Sequence, residues 1–113
     1  MIINGTNLSM IRGDSESITI KIRQPDGEQI PLIDGDTIYF TMKVNAAAEQ
    51  KILQKIITVF DDGKAVIEID PSDTKPLPVR SYRYDIQWVT SSGRVSTIVP
   101  PAVFTLLQEV TTE

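Results

Sequence analysis

Cysteine and histidine are both absent from the chain, and tryptophan occurs once. Without cysteine there can be no disulfide and no thiolate metal site, and the redox compartment leaves no mark on the sequence. Without histidine, the usual general base, the usual partner of a nucleophile and the commonest transition-metal ligand are missing together. No run approaches the roughly 18 apolar residues of a membrane-spanning helix. The opening stretch "MIINGTNLSM" has neither the basic region nor the apolar run of a secretory signal. Positive charge is the minority sign: 11 Lys and Arg stand against 15 Asp and Glu, a net charge of −4. The clustered cations that hold nucleic-acid phosphates or anionic membrane surfaces are therefore not expected, so neither nucleic acid nor membrane is a predicted partner. What remains is ordinary globular composition. The 113 residues, 41% hydrophobic and 23% charged, have the size of one domain with one core, read here as residues 1–113.

The dominant period is two. In "ESITIKIR", Ile18, Ile20 and Ile22 alternate with Thr19, Lys21 and Arg23, as in a strand with one buried face. "QPDGEQ" reads as a turn, because Pro25 presets φ and Gly27 tolerates positive φ. In "DTIYFTMKV", Ile38, Phe40, Met42 and Val44 form a second inner face. "NAAAEQ" is the one helix-leaning piece, and at most one short helical turn is expected near residues 45–52. "KILQKIITVF" is two-sided: Ile52, Ile56 and Phe60 share one face, and Leu53, Ile57 and Val59 the other. "DDG", Asp61 to Gly63, signals a hairpin into "KAVIEID". "PSDTKPLPVR", with three prolines, reads as a loop. "SYRYDIQWV" resumes alternation with Tyr82, Tyr84, Ile86 and Trp88 on one face, so Tyr84, Ile86 and Trp88 are expected in a core strand. "RVSTIV", stopped by Pro100 and Pro101, and "AVFTLLQEV" complete the chain. Seven or eight short strands, separated by turns and without a βαβ rhythm, suggest an antiparallel sandwich or barrel, and the expected fold is all-β, an antiparallel Ig-like β-sandwich.

The residues that could carry chemistry have plainer readings. Arg12-Gly13-Asp14 is the tripeptide that integrins read, yet glycine and aspartate are also what a turn between strands requires. We read it as a structural turn. The carboxylates lie mostly in predicted turns, where Asp is favoured anyway, and none matches the EF-hand spacing. No metal, cofactor or catalytic residue is predicted. The serines and threonines have no histidine to activate them, so nucleophilic catalysis by a histidine-activated hydroxyl has no support. The aromatic row could instead be a stacking platform for carbohydrate around Trp88, and a carbohydrate-binding module is the alternative reading. Leu53, Ile57 and Val59, as a second apolar face, are candidate contact residues; the simpler alternative is that a second layer of the same domain covers them.

Several marks recur in order along the chain: "LSMIRGDSESITIKI", "PDGEQIPLIDGDTIYFTMK", "LQKII", "IEIDPSDTKPLP", "YRYDIQW", "SSGRVSTIV" and the closing "EVT". Together they resemble the N-terminal domain of baseplate upper proteins from phages of Gram-positive bacteria, a module of tailed-phage and prophage structural proteins. The resemblance covers residues 8 to 111. Two departures occur: Arg80-Ser81 stands where the pattern has a glycine before the "YRYDIQW" strand, and Pro100-Pro101-Ala102 where it has one before the last strand. Both bear on local turn geometry and leave the core faces intact. The resemblance implies that the Arg12-Gly13-Asp14 segment is a recurring turn. It also implies a non-enzymatic virion part in a tail or baseplate, made in the bacterial cytoplasm. The expected partners are other tail or baseplate proteins and further copies of the chain.

Overall fold

Thr37–Lys43 shows how pattern becomes structure. Ile38, Phe40 and Met42 are fully buried, while the residues between them keep some exposure, as a strand with one inner face requires. In the computed structural model, which describes residues 1–112, this is the sixth of ten strands. In chain order they are β1 (Ile2–Asn4), β2 (Asn7–Ile11), β3 (Glu16–Ile20), β4 (Ile22–Arg23), β5 (Gln29–Ile30), β6 (Thr37–Lys43), β7 (Leu53–Ile57), β8 (Ala65–Ile69), β9 (Ser81–Val89) and β10 (Val95–Leu107), with one helical turn, α1 (Pro71–Thr74), between β8 and β9. Six strands form one sheet in the order β1-β2-β10-β9-β6-β7. The pair β3-β8 makes the opposing layer, and β4-β5 is a separate short ribbon. Ala65, Ile67 and Ile69 from β8 meet the inner face of the large sheet in one continuous apolar cluster. The fold is thus an all-β sandwich.

The layout matches the Ig-like plan. The run β10-β9-β6 corresponds to the G-F-C order of such sandwiches, and β3-β8 to the B-E pair facing it. A further hallmark is present at the start of β9: the Tyr82 hydroxyl donates to the Pro78 carbonyl at 2.6 Å. This is the tyrosine corner, which pins the crossing between the two layers. At the centre, Phe40, Tyr84 and Phe104 from three adjacent strands form an aromatic triangle with centroids 5.3 to 6.1 Å apart. Tilted and edge-on ring contacts of this kind add about 0.5–1.5 kcal/mol beyond area burial.

The structure corrects several expectations. The sandwich is not wholly antiparallel, because β2 runs parallel to β10 over Leu8–Ile11. Ten strands replace seven or eight: β1 and the ribbon β4-β5 are too short to show periodicity, and the single strand expected across Ile18–Ile22 breaks at Lys21. Residues 45–52 hold no helix. Asn45 accepts from Ala48 N–H through its carbonyl and from Ala47 N–H through its side chain, both at 3.1 Å, which closes a turn. A local Asn bond competes with helix despite three alanines. The helical turn lies instead in the proline-rich stretch. Pro71 occupies the first turn, where its missing N–H costs nothing, and Asp73 accepts from the Asp70 N–H at 2.8 Å. The two final strands expected on either side of Pro100-Pro101 are one strand, β10. Its register against β9 shifts between Thr97 and Val99 and again between Val99 and Ala102. These bulges accommodate residues without an N–H.

The Asp61-Asp62-Gly63 turn forms as expected, with φ of 51° at Asp62 and 72° at Gly63 and a bridge from Asp61 to Lys64. It does not join paired strands, however, since β7 and β8 belong to different layers. A side chain on Gly63 would sit 2.8 Å from Pro31 Cβ.

Truncating the centre and truncating the rim should separate cleanly in denaturant unfolding. Phe40→Ala is expected to cost about 3–5 kcal/mol. Ile56→Ala, at a β7 residue that is 55% exposed, should stay within about 0.5 kcal/mol. Comparable losses at the two positions would contradict the inner face assigned to β6.

Candidate functional site

The Arg12-Gly13-Asp14 segment lies between β2 and β3. Asp14 N–H donates to the Ile11 carbonyl at 3.2 Å, and Gly13 adopts φ of 88°, a region that suits glycine. The turn is bolted to three distant parts of the chain. Arg12 N–H donates to the Leu107 carbonyl at 3.0 Å, at the end of β10. Gly13 N–H donates to Thr74 Oγ1 at 2.8 Å, and Thr74 is fully buried on α1. The Arg12 guanidinium donates to Glu109 through Nε at 3.1 and 3.2 Å and through Nη2 at 2.8 Å, and to the Leu77 carbonyl through Nη1 at 3.0 Å.

Arg12 is therefore engaged on every side. The hydrogen bonds from Arg12 hold the Glu109 carboxyl below its ordinary range, and the same bonds raise Arg12 above its own. An adhesion tripeptide has to offer its arginine to a partner; here the arginine closes the domain. A groove of about 380 Å³ lies beside the turn, lined by residues of both signs, among them Asp14 and Lys75. It contains no pairing of a nucleophile with a base. Among the described residues, no cluster of three carboxylates could hold a metal ion.

On β9, the expected core residues share the inner face. Tyr84 and Ile86 are buried, and Trp88 is half-buried against the same cluster. The Tyr84 hydroxyl donates to the Thr6 carbonyl, tying β9 to the β1–β2 turn. Burial raises both tyrosine hydroxyls above their ordinary value. The Trp88 indole N–H is buried without a hydrogen-bond partner among the described residues. Trp88 thus sits in the inward-facing row and does not form an open platform.

The three candidate contact residues separate. Leu53 and Ile57 pair with Met42 and Ile38 across the β6–β7 ladder and pack against the core, so the same domain covers them. Val59 lies beyond β7 and is 83% exposed. The outward residue of β7 is Ile56, which the two-sided pattern could not single out.

Three polar joints escaped the sequence. Buried Asp36 accepts from Ile33 N–H and Ser91 N–H, each at 3.1 Å, and so fastens two loops. Lys55 Nζ meets Asp73 at 2.7 Å, linking the sheet edge to α1. Burial would raise the Asp73 carboxyl, but hydrogen bonds from Lys55 and from the Asp70 N–H outweigh it and leave the group below its usual range. Glu109 is 97 residues from Arg12, and no local signal connects them. No family model matches the chain, and no curated protein matches its sequence.

The Arg12–Glu109 joint has a pH signature. Glu109 has a lower pKa folded than unfolded, so its contribution is complete above the ordinary carboxylate value of 4.5 and fades as pH falls through the folded value. Glu109→Gln is therefore expected to lower the urea midpoint at pH 7, with the gap to the parent narrowing below pH about 4.5. A gap that stays constant down to pH about 3 would show that the ion pair contributes nothing.

Proposed function

We propose that the chain is a non-enzymatic structural module of a tailed-phage or prophage particle, a tail or baseplate component acting through protein–protein contacts. The observation that carries this reading is where the marks of the resemblance fall. The Arg12-Gly13-Asp14 segment is the hub joining β2, α1 and the end of β10. "DDG" makes the turn between the layers, "PSDT" makes α1, and "YRYDIQW" lies within β9, flanked by β6 and β10 at the middle of the large sheet. These marks fall on turns, a helical turn and a central strand of the framework. A recurring set of framework residues fits a building block whose working surfaces vary.

The distribution of chemistry supports the same reading. The chain has no histidine or cysteine, and two of its ion pairs, Arg12–Glu109 and Lys55–Asp73, tie distant elements together. Several exposed apolar side chains sit at sheet margins, among them Ile2 and Ile3 on the edge strand β1 and Val95 at the start of β10. Exposed strand edges and apolar margins serve assembly. The protein would be made in the bacterial cytoplasm and reside in the virion, beside other tail or baseplate proteins and copies of itself. The carbohydrate alternative needs Trp88 as an open stacking surface, and its inward-facing row favours the structural role.

Particles isolated from the encoding phage, or induced from the encoding lysogen, provide the test. The chain should co-sediment with tailed particles, and a specific antibody should decorate one end of the tail. Expression of the chain without incorporation into particles would overturn the proposal. Iodide quenching of Trp88 emission that is relieved by a glycan would favour the carbohydrate reading instead.

A further inference from the structure

The sandwich is sealed unevenly. On β8, the inward residues Ala65, Ile67 and Ile69 are at most 1% exposed. Their neighbours across the ladder, Ile18 and Ile20 on β3, are only half-buried although they face the same core. Ile98 and Val99, in the bulged half of β10, are half-buried as well. These residues are not scattered. Ile20, Ile22, Ile98 and Val99 line one groove of about 360 Å³ between the two layers.

Unpaired backbone borders this groove on both sides. β3 pairs only with β8 and carries no ladder on its other side; the Met1 ammonium meets Glu16 at its start, and Thr19 and Ile20 at its end line the groove. β10 pairs with β2 only over Phe104–Leu107, so Val95–Val99 has a partner only in β9. The two rims differ in what they can accept. The β10 rim is interrupted by bulges and continues into Pro100-Pro101, which have no N–H to offer. The β3 rim is a regular strand of five residues. An open regular edge beside an uncovered apolar seam is the geometry of strand addition, in which main-chain hydrogen bonds supply affinity and alternate side chains fill the seam.

Charge defines the occupant further. Lys21 and Arg23 stand at the groove, and no carboxylate lines it. Lys21 makes no ion pair among the described residues. Arg23 donates to the Gly27 carbonyl at 2.8 Å and makes no ion pair among the described residues. We infer that the open edge of β3, with the groove of Ile20, Ile22, Ile98 and Val99, accepts an extended acidic segment of a partner protein. The segment adds as a strand to β3. Its apolar side chains cover the seam, and its carboxylates meet Lys21 and Arg23. This deepens the reading of a protein-binding module by naming where it binds and what it binds.

The test uses the full chain and three peptides, each about one strand long. One alternates valine with glutamate, one alternates valine with lysine, and the third is the glutamate peptide with a central proline. Amide exchange should slow at residues 16–20 with the glutamate peptide. Its affinity should exceed that of the lysine peptide at least tenfold, and the proline version should not bind. Lys21→Glu, an exposed change that leaves the core untouched, cancels the charge of Arg23 and should abolish the preference for the glutamate peptide. Equal binding of both charges, or protection away from β3, would overturn the inference. So would a dimer in sedimentation whose β3 amides are already protected, since a second copy would then be the occupant. If the peptides fail while the chain still co-sediments with particles, only this inference falls. If the peptides bind and particles lack the chain, the virion reading falls alone.

Discussion

The domain depends on the register between β9 and its two neighbours. Because β6 and β10 both align their inner faces with it, Phe40, Tyr84 and Phe104 meet as a triangle. A slip by one residue on any of the three strands would send its apolar row to water. The bulges in β10 matter for this reason. They take up extra residues around Pro100-Pro101 and return Ala102, Phe104 and Leu106 to the buried face. Core packing of this kind leaves little freedom for the centre of the sheet and much for its margins.

Polar joints then lock what apolar packing has brought together. The helical turn and the end of the last strand converge on the Arg12-Gly13 turn: Gly13 binds Thr74 of α1, and Arg12 satisfies Glu109 and the Leu77 carbonyl at once. Tyr82 and Tyr84 each turn a hydroxyl outward from the core to a backbone carbonyl, at Pro78 and at Thr6. Asp36 does the same for two loops. In each case a polar group at the end of the sandwich is paired inside the domain, which avoids the cost of burying it alone. The tripeptide that invites an adhesion reading is one of these joints.

A framework closed at its ends and open along one side suits an assembly part. The tight side runs through β8, whose inward residues are sealed, and the β7 edge, which Lys55 ties to α1. The loose side runs along β3 and the proximal half of β10, where core isoleucines show through. Rigidity from the first side and reach from the second are the two properties that a module built into a larger particle needs. The proposed role and the proposed strand partner draw on this asymmetry, one on the framework and the other on its gap.

Strict alternation determined the faces. Ile38, Phe40 and Met42, Ile67 and Ile69, and Tyr82, Tyr84 and Ile86 all turned inward as their spacing required, because a strand places successive side chains on opposite sides whatever it packs against. Glycine and aspartate likewise marked the Ile11–Asp14 and Asp61–Lys64 turns, since the need for positive φ is local. Other features had no local signature. The parallel pairing of β2 with β10, the Arg12–Glu109 joint, the burial of Asp36 and the continuity of β10 through two prolines all depend on segments that meet only after the chain has folded. The two-sided strand β7 makes the same point: both of its faces are apolar, so period two could not say which was inner. The tertiary structure decided this by placing Leu53 and Ile57 against the core and leaving Ile56 to water. Pairing across long sequence separation is set by the whole sheet, and no window of the chain contains it.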